Sequence, residues 1–206
     1  MNVDPSLWGT YAGTFADWEG EGVKNQNNLP RAKTDWETPD DLMTALRAEY
    51  GDFDLDPCAT YENRKAAAWF GRESMRCSYG EGTYKMAPSF RPCDGCRASE
   101  DGLEEPWFGK AFVNPPYGRD IWRWIEKCHY EVTRGTAELV VALLPVSPDT
   151  RWWQTWVSQA TEVRFLKGRV TFVGAAGPAP FASAIVVWRR GMLGWHHVSY
   201  WDWRPK

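Results

Sequence analysis

The run ELVVALLP, residues 138–145, constrains the fold more than any other stretch of the chain. Successive side chains of a strand point to opposite faces, so a strand with one solvated face alternates apolar and polar residues. From Leu139 to Leu144 nothing alternates, and both faces must therefore be covered, as in a central parallel strand. Parallel neighbours require crossovers, which are usually helices.

The flanking sequence supplies those crossovers. TPDDLMTALRAEYG reads as a helix from about Pro39 to Tyr50: Thr38 as N-cap, Pro39 at the first helical position, Asp40 and Asp41 in the first turn, Leu42, Ala45 and Leu46 on one face, and Gly51 as the stop. DFDLDPCAT follows as a short strand ending at Asp56 and Pro57, and the alanines of ENRKAAAWF suit a short helix. AFV is a strand, NPPYG a turn, and Ile121, Trp124, Ile125 and Cys128 fall at helical spacing in a helix closed near Gly135. DTRWWQTWVSQA is a further helix, in which Trp152, Trp153 and Trp156 serve packing. TEVRFL, GRVTF, SAIVVWR and WHHVSYW are strand candidates, partly antiparallel because their links are short.

The pattern predicts a single-domain α/β fold, with a mostly parallel sheet, helices on both faces and an antiparallel C-terminal part. Residues 1–33, with isolated aromatics and no sustained period, read as an irregular N-terminal arm, and 34–206 as the domain. Within it, 71–98 reads as an insertion, rich in glycine and proline and carrying Cys77, Cys93 and Cys96. Ligands of such sheets bind outside the carboxyl ends of the strands, so the DPCAT and NPPYG turns are expected to share a crevice.

Composition narrows the function. At 206 residues, with 43% hydrophobic and 25% charged residues, the chain has the balance of a globular protein. It lacks a stretch long enough to span a membrane and begins without a secretory pattern, so a cytoplasmic location is expected. A net charge of −3 excludes a protein that coats nucleic acid by bulk charge, which leaves a local patch for any such contact. Arg164, Lys167 and Arg169, clustered in VRFLKGRVTF, are the candidates to follow a phosphate backbone, although a solvated face has the same composition.

Five cysteines, odd in number and scattered, argue against a secreted disulfide framework. Cys77 with the C-x-x-C of Cys93 and Cys96 makes a candidate structural zinc site that still needs a fourth ligand, such as Cys58, Asp94 or a histidine. Ordinary reduced thiols are the alternative. His196 and His197 alternate along a strand and read as surface and edge residues.

Asn114, Pro115, Pro116 and Tyr117 carry the chemistry. Two consecutive prolines fix two φ angles, remove two N–H donors and leave carbonyls without local partners. The Asn114 side-chain oxygen and the Pro115 carbonyl can each accept one hydrogen of an exocyclic amine, and Tyr117 can lie over the flat ring that bears it. An amine held so, with a sulfonium methyl in line at about 3–3.5 Å, is a near-attack arrangement for methyl transfer. The same four residues also make a stiff turn at a strand end.

DWETPDDLMTALRAEYGDFDLDPCAT, EDGLEEPWFGKAFVNPPYG, LLPVSPDTRWW, FLKGRVTF and PFASAIVVW, in this order between about residues 35 and 188, resemble the phage and prophage DNA N6-adenine methyltransferases of the Dam type. The resemblance implies a methyltransferase fold that uses S-adenosylmethionine, with adenine in double-stranded DNA as acceptor. It also implies that Asn114, Pro115, Pro116 and Tyr117 are the catalytic tetrapeptide. Trp36, Thr38 and Pro39 resemble a block flanking the cofactor, Asp56, Pro57 and Cys58 the first cofactor loop, and Asp101 the acidic position beside the cofactor adenine. LDPCAT departs from methyltransferases at large in lacking a glycine pair, and the insertion leaves Glu62, Glu73 and Glu81 open as ribose acceptors.

The expected function is methyl transfer from S-adenosylmethionine to the amine of a flipped adenine, by direct displacement. Two alternatives stay open: another planar amine (cytosine N4, an RNA base or a protein glutamine), and a catalytically silent DNA-binding module.

Overall fold

A computed structural model describes residues 36–60, 62–70, 101–194 and 197–204, together with the backbone of three short strands at 74–77, 83–85 and 96–98. Helix α1 (Asp40–Tyr50) leads to β1 (Leu55–Asp56) and β2 (Ala68–Trp69), then β3 (Ser74–Cys77), β4 (Thr83–Lys85) and β5 (Cys96–Ala98). β6 (Gly109–Val113), α2 (Ile121–Arg134), β7 (Ala137–Pro145) and α3 (Arg151–Thr155) follow, and β8 (Glu162–Leu166), β9 (Ser183–Arg189) and β10 (His197–Trp201) complete the chain. Seven strands form one sheet in the order β10-β8-β9-β7-β6-β1-β2, and β4-β3-β5 form a separate antiparallel sheet. In the large sheet only β9 runs against its neighbours. This α/β architecture, with its mostly parallel sheet, is the one the pattern predicts and is compatible with a methyltransferase fold.

β7 lies between β6 and β9 and is buried on both faces, as its unbroken apolar run requires. Val140, Ala142 and Leu144 meet Ile121, Trp124, Ile125, Cys128 and Val132 of α2. Leu139, Val141 and Leu143 join Leu42, Met43 and Leu46 of α1 in the other core. α2 stops where Gly135 takes a left-handed φ of 80° and its N–H closes on the carbonyls of Glu131 and Val132. Among the described residues no helix is long and apolar enough to cross a membrane.

Four local expectations are corrected. Residues 62–67 form turns rather than a helix: Thr60 N–H donates to Asn63 Oδ1 at 2.7 Å, and the chain then enters β2, paired in parallel with β1. Pairing with β1 overrides the alanines' helical preference. GRVTF makes no strand, and β8, which it follows, is flanked by β9 and β10 instead. Its alternation still buries Val170 and Phe172. The helix read in DTRWWQTWVSQA is shorter, giving way after Thr155 to a 3₁₀ turn over Val157–Gln159. Thr38 does not cap α1, since Pro39 occupies that position in extended conformation and no side chain caps the helix.

One buried acid ties α2 to the segment that precedes β6. Glu131, 1% exposed, accepts from the Trp107 N–H at 3.1 Å, from the Thr136 hydroxyl and from Lys127 Nζ at 2.6 Å. Trp107 is itself buried, and its indole N–H donates to the Gly102 carbonyl at 2.7 Å. Glu131→Ala would strand the Lys127 ammonium and the Trp107 N–H, while the Thr136 hydroxyl keeps the Glu131 backbone carbonyl, and should cost roughly 3 kcal/mol of unfolding free energy in a denaturant titration. A loss below about 1 kcal/mol would show that solvent satisfies these groups equally well.

Candidate functional site

The carboxyl ends of β1 and β6 open into a crevice of about 500 Å³, within the range of small-molecule sites. Asp56, Pro57, Cys58, Ala59 and Thr60 from the turn after β1 line it, opposite Asn114 and Pro116 from the turn after β6. Trp36, Glu37 and Thr38 enter ahead of α1, and Asp101 and Gly102 close another side. The two turns thus share one crevice, and Asn114, Pro116, Trp36, Thr38, Asp56, Pro57, Cys58 and Asp101 all line it. Pro115 is buried beside Asn114, and Pro39 takes the cap position of α1.

Asp56 is held in two ways. Its carboxylate accepts the Lys65 N–H at 2.9 Å and the Cys58 N–H at 3.4 Å, so it shapes its own turn. It is also buried, and the loss of hydration pushes its pKa up to about 7, against the backbone donors that favour the charged form. Burial likewise raises the Cys58 thiol well above its ordinary range. Lys65 Nζ bridges Glu37 Oε1 at 3.1 Å and Asp40 Oδ1 at 3.2 Å.

Gly102 is a close-approach glycine: a Cβ there would stand 2.1 Å from the Pro57 carbonyl oxygen. The Asp101 turn can therefore press against the turn after β1. Asp101 Oδ1 accepts the Leu103 N–H at 2.8 Å and so fixes that turn.

Asn114 carries the sharpest polar feature. Its Nδ2 donates to the Trp36 carbonyl and to Thr38 Oγ1, the latter at 3.1 Å. Its Oδ1 is buried and has no hydrogen-bond partner among the described residues. A buried acceptor left bare costs about 1–3 kcal/mol, a cost that an incoming donor would relieve.

Tyr117 is half-buried, and its hydroxyl donates to the Leu143 carbonyl at 3.0 Å. Its ring meets Phe172 and Phe181 edge-on, with centroids 6.1 and 5.5 Å away, and burial pushes its ionisation up. Both phenylalanines belong to the loop after β8, which starts at the same sheet edge as the crevice because β8 runs with β6 and β7. They also pack on Trp36, at 5.1 and 6.3 Å.

The basic candidates divide. Arg164 is partly buried and engaged within the fold: its guanidinium reaches Glu49 Oε1 at 3.0 Å and Glu162 Oε2 at 3.7 Å and lies over the Trp201 ring. Lys167 and Arg169 are exposed, Lys167 at 4.0 Å from Asp202. In the insertion, the backbones of Cys77 and Cys96 are direct partners in register, while Cys93 lies outside the described residues. Among the described residues no group of three or more potential ligands could hold a metal. Glu62 is exposed, His197 is exposed, and Glu73, Glu81 and His196 lie outside the described residues.

Sequence reasoning missed Glu37, Lys65, Gly102, Phe172 and Phe181. Glu37, Gly102, Phe172 and Phe181 all sat inside blocks already singled out. Lys65 was hidden by the helical reading of its neighbours, and the phenylalanines reach the site from a distant loop.

The α/β fold, the strand-end crevice and the asparagine turn are compatible with a methyltransferase. The model of the family described as DNA N-6-adenine-methyltransferase (Dam) matches residues 96–190. The chain is 23% identical over 162 residues to a DNA N-6-adenine-methyltransferase of Escherichia phage T1, an alignment covering 77% of this chain and 55% of that relative. It thus spans just over half the length of the relative. The resemblance to the phage Dam-type family drawn from the sequence blocks stands.

The raised Asp56 pKa has a consequence for stability. The folded state keeps a proton that the unfolded chain, with an ordinary carboxyl pKa of about 3.9, releases earlier. Wild-type stability relative to Asp56→Asn should therefore fall as pH rises from about 4 through about 7 and level off above. Thermal unfolding of both proteins across that window checks this, and a pH-independent difference would contradict it.

Proposed function

We propose that the chain is an S-adenosylmethionine-dependent methyltransferase acting on the N6 amine of adenine in double-stranded DNA. The observation that carries the reading is the bare, buried Oδ1 of Asn114, a residue that lines the crevice. An aromatic amine is a donor of two hydrogens, and in this reading Asn114 Oδ1 and the Pro115 carbonyl accept one each. The amine is then oriented with its lone pair free, so it acts as nucleophile and no covalent enzyme intermediate is needed.

The crevice residues fit the proposed donor. Asp56 and Asp101 offer acceptors for hydroxyl and amine groups, and the volume suits a nucleoside-sized ligand. Bound there, S-adenosylmethionine supplies an electrophilic methyl group. Tyr117 offers its ring to an extruded base, with its hydroxyl tied to Leu143 to limit the ring's rotation. Lys167 and Arg169 are the remaining candidates for phosphate contact, and 34–206 is taken as the catalytic domain. A cytoplasmic location, where DNA and cofactor are both available, follows from this activity. A zinc ion held by Cys77, Cys93 and Cys96 would be structural and stands apart from the chemistry.

The test is transfer of labelled methyl from S-adenosylmethionine to unmethylated bacterial DNA, followed by nucleoside analysis. Wild type should yield N6-methyladenine, and Asn114→Ala should lose at least about a hundredfold of the rate while keeping cofactor affinity. Label in cytosine, RNA or protein would move the activity to that amine. Cofactor and DNA binding with no transfer to any of them would favour a silent binding module.

A further inference from the structure

An asparagine amide can be turned in two ways, and only one of them serves an amine. With Oδ1 toward the crevice the side chain accepts; with Nδ2 there it presents two donors to a group that is itself a donor. Hydroxyl neighbours do not decide between these, because a hydroxyl can donate or accept. A backbone carbonyl does, because it can only accept. The Trp36 carbonyl meets Asn114 Nδ2 and therefore selects the turn that leaves Oδ1, buried and without a partner among the described residues, as the free end of an amide whose residue lines the crevice. Thr38, 2% exposed, takes the second amide hydrogen on its hydroxyl oxygen at 3.1 Å.

We propose that Trp36 and Thr38 are positioning residues, which hold the Asn114 amide in the only orientation that can accept a substrate amine. The proposal rests on the reading of Asn114 as the amine acceptor. It gives the segment ahead of α1 a task distinct from contact with the cofactor. Three ties keep that segment in place. The Trp36 ring packs on Phe172 and Phe181, the Val173 N–H donates to the Glu37 carbonyl at 3.0 Å, and Lys65 pairs with Glu37. The loop after β8 thereby acts on the strand-end turn through one peptide carbonyl.

Thr38→Val keeps shape and burial but removes the second acceptor, leaving one amide hydrogen unpaired and the amide freer to turn. Thr38→Ser restores the acceptor. Three readouts on the full chain separate positioning from packing: single-turnover methyl transfer to DNA, affinity for the cofactor analogue sinefungin, and the side-chain amide resonances of Asn114, assigned with Asn114→Asp.

The expected result for Thr38→Val is a fall of about ten- to a hundredfold in transfer, analogue affinity within about twofold of wild type, and loss of exchange protection at one Asn114 amide proton. Thr38→Ser should recover all three. A valine protein with wild-type transfer and an unmoved Asn114 amide would overturn the proposal, as would a loss confined to analogue affinity. Should the valine protein fail to fold, the wild type decides: an Asn114 amide exchanging as fast as an exposed asparagine overturns the proposal. A wild type that methylates no DNA would sink the functional reading, and the amide resonances would then judge the positioning claim by themselves.

Discussion

Much of this molecule depends on the bond from Asn114 Nδ2 to the Trp36 carbonyl. It joins the turn after β6 to the segment ahead of α1, two regions far apart in sequence, and it settles which end of the amide is left without a partner. A carbonyl has no donor to offer, so the arrangement admits one answer. The unpartnered Oδ1 is the residue of that choice, a desolvated acceptor kept in place by bonds on the other side of the same group.

The crevice inherits its shape from packing well away from it. Glu131 on α2 holds the Trp107 backbone, Trp107 holds the Gly102 carbonyl, and Gly102 lets the Asp101 turn approach Pro57 to a distance no side chain would permit. On the other side, the loop after β8 packs Phe172 and Phe181 against both Trp36 and Tyr117. Three loops at one sheet edge are thus set by contacts made below and beside them, so the groups facing a ligand are fixed before it arrives.

Local pattern carried the reading of β7, α1 and α2, because burial on two faces or one stripe leaves a period in the residues themselves. The crevice followed from topology, since strand-end turns of parallel neighbours must meet. What pattern could not carry was competition between neighbours. The alanines of ENRKAAAWF prefer a helix, yet β1 offers them a strand partner, while GRVTF alternates like a strand but joins no sheet. The Thr38 hydroxyl meets Asn114, and the Arg164 guanidinium meets Glu49, in each case from a residue distant in sequence. Each of these outcomes is decided by a partner that no local window contains.

The most direct test of the central claim is a crystal structure of the protein with S-adenosylhomocysteine and an adenine nucleoside, or a short adenine-containing duplex. The exocyclic N6 of the adenine is expected within about 3 Å of Asn114 Oδ1, with Nδ2 still on the Trp36 carbonyl. An adenine amine bound elsewhere, or an Asn114 amide turned so that Nδ2 faces the crevice, would contradict it.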